Sequence, residues 1–308
     1  MLPWSGWVEC VPNFSEGQRQ DVIAVLERVV AATPGALLLD RHTDPDHNRT
    51  VLTFAGPPAA VLEASLRACE EAVARIDLRK HAGRHPRVGA LDVLPFVPLQ
   101  DTSMESCVAL ARKAGETIWR SFRVPVYFYE AAAARPDRRD LSAIRRGGFE
   151  TLAEIAPRHP ARAPDVGGPD LHPTAGATAV GARTFLVAWN VNLDTKDLAA
   201  ARYIARRIRE SSGGLPCVKA LGLYLPSRRR AQVSMNLTNF ERTGLVEVFR
   251  AIEKEARRLR IGVSSSELVG LIPERALRAA EVADLPWENL TPDSVLENRL
   301  RSLLSPSS

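Results

Sequence analysis

Three stretches of the sequence gather side chains able to move protons, hold ions or let a ligand approach the backbone. His81 and His85 lie four residues apart in HAGRHPR. On a helix that spacing would resemble half of an HExxH zinc site, but Gly83 and Pro86 forbid the helix. A loop histidine flanked by Arg84 and Arg87 is better suited to acid and base work, because imidazole titrates at about 6.5 and adjacent cations keep it neutral and ready to accept a proton. The plain alternative is a surface histidine among basic residues. His42 and His47 sit with Asp40, Asp44 and Asp46 in DRHTDPDHNR. That spacing fits no zinc or EF-hand pattern, so a loop that binds substrate or caps a helix is expected rather than a metal site. The third stretch runs through Gly167, Gly168, Pro169, Asp170, Leu171, His172, Pro173, Thr174, Ala175 and Gly176. It is dense enough in small residues to admit a ligand against the main chain, but it matches neither the Rossmann nor the P-loop pattern. An interdomain linker is the alternative reading.

The elements that must position these loops can be ordered along the chain. Trp7–Pro12 reads as a strand, Gln18–Ala31 as a helix with Val22, Val25, Leu26, Val29 and Val30 at helical spacing, and Ala36–Asp40 as a strand after Pro34-Gly35. Arg49–Phe54 alternates as a strand, a helix opens at Pro57-Pro58 and runs to Arg75, and Val93–Leu99 is the next strand. Thr102–Phe122 reads as a helix capped by Thr102 or Ser103, and Val124–Tyr129 as a strand. From Arg135 to Pro173 six prolines and scattered arginines predict an irregular connection around one short helix, long enough to have a function of its own. Thr184–Leu193, Val218–Leu225, Ala231–Leu237 and Ser266–Ile272 then read as strands around helices at Asp197–Glu210 and Leu245–Leu259. The second half is therefore β-α-β-β-α-β and the first begins in the same order. The expected fold class is α+β: two sandwich subdomains, each a helix layer on a mixed sheet, divided into residues 1–182 and 183–308.

Composition narrows the function classes. Of 308 residues 45% are apolar and 25% charged, which is the balance of a globular protein. The formal net charge of +5 favours small anions without the basic loading of a dedicated nucleic-acid binder. The segment Ala201–Arg260 is locally basic, with 14 Lys and Arg against 5 Asp and Glu, but aromatic residues are sparse there, so a solvated face or the site of a polyanionic tail is expected rather than RNA binding. No apolar run approaches the roughly 20 residues of a membrane span, and the first ten residues carry no secretory signal pattern. Cys10, Cys69, Cys107 and Cys217 are widely spaced, which predicts neither a zinc site nor a disulfide scaffold and places the chain in the cytoplasm.

The strings VECVPNFSEG (Val8–Gly17), DPDHNRTVLTF (Asp44–Phe54), IDLRKHAGRHPRVGALDVLPFVP (Ile76–Pro98), PTAGATAVGAR (Pro173–Arg183) and AQVSMNLTNF (Ala231–Phe240) resemble the glutamate formimidoyltransferase family, in order and over nearly the whole chain. The resemblance implies two α/β subdomains with a folate tunnel between them, a folate-contacting loop at Gly167–Gly176, and the catalytic histidine of a Gly-x-His-Pro-Arg motif at His85. The implied reaction moves a formimidoyl group from formiminoglutamate to N5 of tetrahydrofolate, the co-substrate, without a metal. One neutral histidine could take the proton from N5 and return it to the departing glutamate nitrogen. By their chemistry, Asp40 and Asp92 are candidates to orient the imidazole, and Arg49, Arg87 and Arg183 to pair with substrate or folate carboxylates.

Two positions depart from the family pattern. Arg84 stands where many members have Glu, which is expected to lower the pKa of His85, and His42 replaces a carboxylate of the bifunctional relatives. Formyl transfer from N-formylglutamate on the same scaffold and a noncatalytic folate-binding role remain as alternative readings. The helical cyclodeaminase domain of the animal members is not expected here, so cyclisation would need a separate enzyme. The remaining partner expectations are a folate that carries a polyglutamate tail and a homodimer through an apolar edge or helix face.

Overall fold

The computed structural model describes residues 4–83, 85–278 and 284–305. The chain divides into two units, Met1–Arg183 and Thr184–Ser308.

The first unit carries a seven-stranded sheet. Its strands are β1 (Val8–Cys10), β2 (Asn13–Phe14), β3 (Leu37–Asp44), β4 (Arg49–Gly56), β5 (Leu91–Pro98), β6 (Val126–Glu130) and β7 (Thr178–Ala182). One extended segment, interrupted at Val11-Pro12, supplies both β1 and β2, and each half pairs antiparallel with β4 on one side and β5 on the other. β3 borders β4, while β5, β7 and β6 run parallel. Helices α1 (Gln20–Ala31), α2 (Pro58–Arg75) and α3 (Met104–Phe122) cover one face. Their apolar stripes, among them Val22, Leu26, Val61, Ala68, Ala111 and Ile118, pack on Leu52, Phe54, Leu94, Phe96 and Val180. Ser103 caps α3 by accepting from Ser106 N at 3.1 Å.

The segment expected to be an irregular connection around one helix contains two, α4 (Leu141–Ile144) and α5 (Gly148–Ile155). They cover the opposite face at the parallel end, where Ile144 and Leu152 pack on Val93, Tyr127, Tyr129 and Ala179. Two arginines hold the segment in place. Arg138 donates to Asp165 and to the carbonyls of Ala161 and Ala163, and Arg162 donates to the carbonyls of Ala143, Ile144 and Arg146.

β7 is a strand that periodicity did not separate from the glycine-rich loop before it. All five of its residues are buried, and a strand covered on both faces shows no alternation between polar and apolar residues.

The second unit runs β8 (Val187–Leu193), α6 (Leu198–Ile208), β9 (Val218–Leu225), β10 (Arg230–Leu237), α7 (Leu245–Arg258) and β11 (Val263–Val269), with α8 (Leu296–Leu304) following. The mixed sheet expected here is instead antiparallel throughout, in the order β11-β8-β10-β9. The helical crossovers β8-α6-β9 and β10-α7-β11 each join strands of like direction that lie two positions apart, with one opposed strand between them. Trp189, Val191, Ile204, Ile208, Val233, Met235 and Ile252 form the core under the helices. Among the described residues no helix is long and apolar enough to cross a membrane.

Candidate active site

The chemistry-bearing residues of the first unit converge where β2, the β3–β4 turn and the start of β5 meet. Asn13 pairs with Val93 and Phe14 with Leu91, so Asp92 is the extra residue of a β-bulge. Such a bulge re-aims a side chain, and the Asp92 carboxylate is fully buried. Its Oδ1 accepts from the Val88 amide at 2.8 Å. Its Oδ2 accepts from Arg49 Nη1 at 2.9 Å and from Arg145 Nη2 at 2.5 Å. Burial alone would raise the carboxyl pKa, but Arg145 and Arg49 outweigh it and hold the group at about 2. Arg49 is itself buried, and its Nε and Nη2 donate to Asn13 Oδ1 at 3.0 and 2.8 Å.

His85 lies half-buried beside this cluster, with its ring centroid 6.1 Å from that of His47. Its Nδ1 is 2.8 Å from the Pro86 carbonyl. A carbonyl can only accept, so Nδ1 carries the hydrogen and Nε2 is left with its lone pair. Burial is the largest influence on the ring and Arg49 and Arg145 act the same way, while Asp92 opposes them. The result lies well below the ordinary histidine value, so His85 is a neutral base at pH 7.

His81 has a different task. Its Nδ1 accepts from Arg87 Nε at 2.8 Å, and its Nε2–H donates to the Asn48 carbonyl at 3.0 Å. Arg87 completes the brace with two bonds to Glu150, at 2.7 and 3.1 Å. Asn48 ties the β3–β4 turn to both neighbouring loops, accepting from Gly17 N and donating to the Ala82 carbonyl. Gly17 and Gly83 allow this approach: a Cβ on Gly17 would lie 2.3 Å from the Asp44 carbonyl oxygen, and one on Gly83 2.4 Å from that of His47.

The loop Gly167–Gly176 is anchored behind the same segment. His172 Nδ1 accepts from the Ala175 amide at 3.0 Å, the Thr174 carbonyl accepts from Leu78 N, and Ala177 N donates to the Val88 carbonyl. Gly176, at φ +70°, would bring a Cβ to 2.1 Å from the Val88 oxygen. Gly168, Pro169 and Asp170 form an exposed tip, while Ala175 is buried and Leu171, His172 and Thr174 are half-buried.

The structure thus brings His85, Asp92 and Arg49 together and sets other candidates apart. Asp40 pairs with Thr53, four residues along β4 from Arg49 and so roughly 13 Å away along the strand. His42 stands opposite Val51 on the same strand pair. Arg183 follows β7 at the far end of β5, where its amide donates to the Phe96 carbonyl. The Arg87 guanidinium is taken up by His81 and Glu150. Arg84 lies outside the described residues. Arg145 was not anticipated, because no motif marks it. The only signal was the length of the arginine-bearing connection that contains it. Among the described residues no group of three or more His, Cys, Asp or Glu forms a metal-binding arrangement.

Comparison with known proteins identifies the lineage. Residues 7–183 match the N-terminal subdomain of the formiminotransferase domain, and residues 188–289 match the formiminotransferase domain. The chain belongs to the formiminotransferase family. A glutamate formimidoyltransferase of Streptococcus pyogenes serotype M1 is 46% identical over 270 residues, covering 88% of this chain and 90% of that protein. One from Thermoplasma acidophilum is 42% identical, with 95% and 97% covered. The mouse formimidoyltransferase-cyclodeaminase is 46% identical over 88% of this chain, which spans 51% of that longer relative. The N-terminal formiminotransferase match includes every residue of the His85 cluster.

Proposed function

We propose that the protein is a glutamate formimidoyltransferase, which moves the formimidoyl group of N-formimidoyl-L-glutamate to N5 of tetrahydrofolate and yields 5-formimidoyltetrahydrofolate and L-glutamate. The observation that carries this reading is the state of His85. It is a neutral imidazole with Nδ1 fixed on the Pro86 carbonyl and Nε2 left with its lone pair, within a chain that matches proteins of that name over 88% and 95% of its length.

In this reading His85 Nε2 accepts the proton released as N5 bonds to the electrophilic amidine carbon. The imidazolium then gives that proton to the glutamate nitrogen as the carbon–nitrogen bond of the tetrahedral adduct breaks, so one residue serves both halves of the exchange. Asp92 stabilises the intervening positive charge through the buried cluster, and Arg49 holds Asp92 in place. The exposed tip Gly168–Asp170, on its anchored loop, supplies backbone for folate contact. Within the second unit Lys196 and Arg228 to Arg230 line an open groove of about 420 Å³, where Arg228 pairs with Glu288 and Glu267.

The test is tetrahydrofolate-dependent consumption of formiminoglutamate by the wild type and by His85→Ala, with N-formylglutamate as competing donor. The expected result is turnover that falls about 10²- to 10⁴-fold in the variant while folate affinity stays within twofold. Faster consumption of N-formylglutamate would replace the donor assignment, and folate binding without turnover of either donor would replace the enzyme reading.

A further inference from the structure

Arg145 stands at the end of α4, where Arg162 clamps the carbonyls on either side of it, those of Ile144 at 3.1 Å and Arg146 at 3.2 Å. Its guanidinium therefore leaves a fixed backbone and reaches into the cluster. There Nη2 donates to Asp92 Oδ2, the oxygen that also accepts from Arg49.

Two observations set Arg145 apart from Arg49 and Arg87. The first is hydrogen bonding. Arg49 spends Nη1 on Asp92 and both remaining donor groups on Asn13, and Arg87 spends Nε, Nη1 and Nη2 on His81, Glu150 and two carbonyls. The Nε–H of Arg145 is buried with no acceptor. A buried donor without a partner is costly and uncommon, and in a pocket that binds a ligand the missing acceptor is supplied by the ligand. The second is charge. Arg49, Arg145 and Asp92 put two guanidinium groups against one carboxylate inside the protein, and a buried excess cation is stabilised by an anion.

We infer that Arg145 is the specificity-determining anchor for the α-carboxylate of the glutamyl donor, which its unpartnered Nε–H would bind. The inference rests on the reaction proposed above and names the residue that selects its donor. The chemistry fixes which carboxylate is meant. The transferred group sits on the nitrogen attached to the carbon that bears the α-carboxylate, so a base working at that nitrogen has this carboxylate within a few bonds. Arg145 and Arg49 are the two cations acting most strongly on His85. Arg145 shares Asp92 Oδ2 with Arg49 in the cluster beside His85, and its planar donors suit a carboxylate.

The experiment compares N-formimidoyl-L-glutamate with its α-carboxamide in the wild type, in Arg145→Gln and in Arg145→Lys, with folding of each variant checked by its melting transition. The wild type is expected to favour the carboxylate donor about 10- to 100-fold in kcat/KM. Arg145→Gln should raise KM for that donor about tenfold or more, leave KM for tetrahydrofolate within twofold, and lose the preference. Arg145→Lys, which keeps a charge on Asp92, should lose part of the preference, and it decides the question if the Gln variant does not fold. An unchanged preference in the folded variant, or a rise confined to the tetrahydrofolate KM, overturns the assignment. If the wild type transfers no formimidoyl group, the proposed reaction fails by itself. Calorimetric titration with L-glutamate then judges Arg145 separately: affinity lost in the variant supports the anchor, and equal affinity refutes it.

Discussion

Arg49 and Asp92 meet at 2.9 Å inside the first unit and lock the start of β4 to the bulge in β5. Asp92 is completely buried and Arg49 nearly so. The pair ties the β3–β4 turn to the strand that follows the His85 segment, and both of its charges act on the His85 ring.

Asp92→Asn should expose the consequence for stability. It leaves Arg49 and Arg145 facing a neutral amide, and breaking such a buried arrangement is expected to cost about 3–5 kcal/mol, read from urea or thermal unfolding. A loss below about 1 kcal/mol would mean that solvent, rather than Asp92, carries the charge of the two arginines.

The same carboxylate predicts acid sensitivity. Its folded pKa of about 2 lies below the ordinary 3.8, so the unfolded chain takes up the proton first as the pH falls. The stabilisation is complete above about pH 4 and is lost between there and about pH 2, by ~2 kcal/mol. The urea midpoint of the wild type should drop across that window more than that of Asp92→Asn.

His85 sets the acid limb of activity. Only the neutral ring can accept a proton, and burial with Arg49 and Arg145 holds its pKa below 6.5. The rate should therefore persist as the pH falls through 6.5 and decline only at lower pH. Arg49→Gln should move that limb upward, toward the ordinary histidine value, in kcat/KM profiles. The stability contribution has the corresponding sign: it is present above pH 6.5 and is lost as the unfolded imidazole protonates below it. An acid limb at or above pH 6.5 in the wild type would contradict the assignment.

The two histidines of the motif should separate cleanly. His81→Ala removes the acceptor of Arg87 Nε and the donor to Asn48, so it should cost about 1–3 kcal/mol of stability and lower kcat far less than His85→Ala does. Equal kcat losses in two well-folded variants would mean that His81 takes part in proton transfer.

Gly176→Ala tests the anchored loop. Its φ of +70° and the 2.1 Å approach to the Val88 oxygen leave no room for a methyl group. A loss of about 1–3 kcal/mol is expected, together with a higher KM for tetrahydrofolate as the loop lifts. A higher KM for formiminoglutamate alone would place the loop on the donor instead.

Much was legible in the sequence because it is written locally. The helices α1, α3, α6 and α7 show in their 3.6-residue stripes, and β9 and β10 in apolar runs bounded by turn residues. His85 stood out because Gly83 and Pro86 exclude a helix, and the family strings gave it a role. Asp92 and Arg49 were named from chemistry alone.

What the tertiary structure decided is long-range. β7 is buried on both faces and so carries no alternation. The bulge that turns Asp92 inward exists only as a register between β2 and β5. The division of labour between His81 and His85 depends on which acceptors and donors surround each ring, the Asn48 and Pro86 carbonyls and Arg87, which spacing does not reveal. Asp40 and Asp92 are equivalent as residue types, and the strand pairing that sets Asp40 opposite Thr53 removes it from the cluster. Arg145 reaches Asp92 across 53 residues of chain. Periodicity and motifs report only near neighbours, so a contact of that separation is fixed by the packing of α4 on the sheet and by the arginine clamp that holds it there.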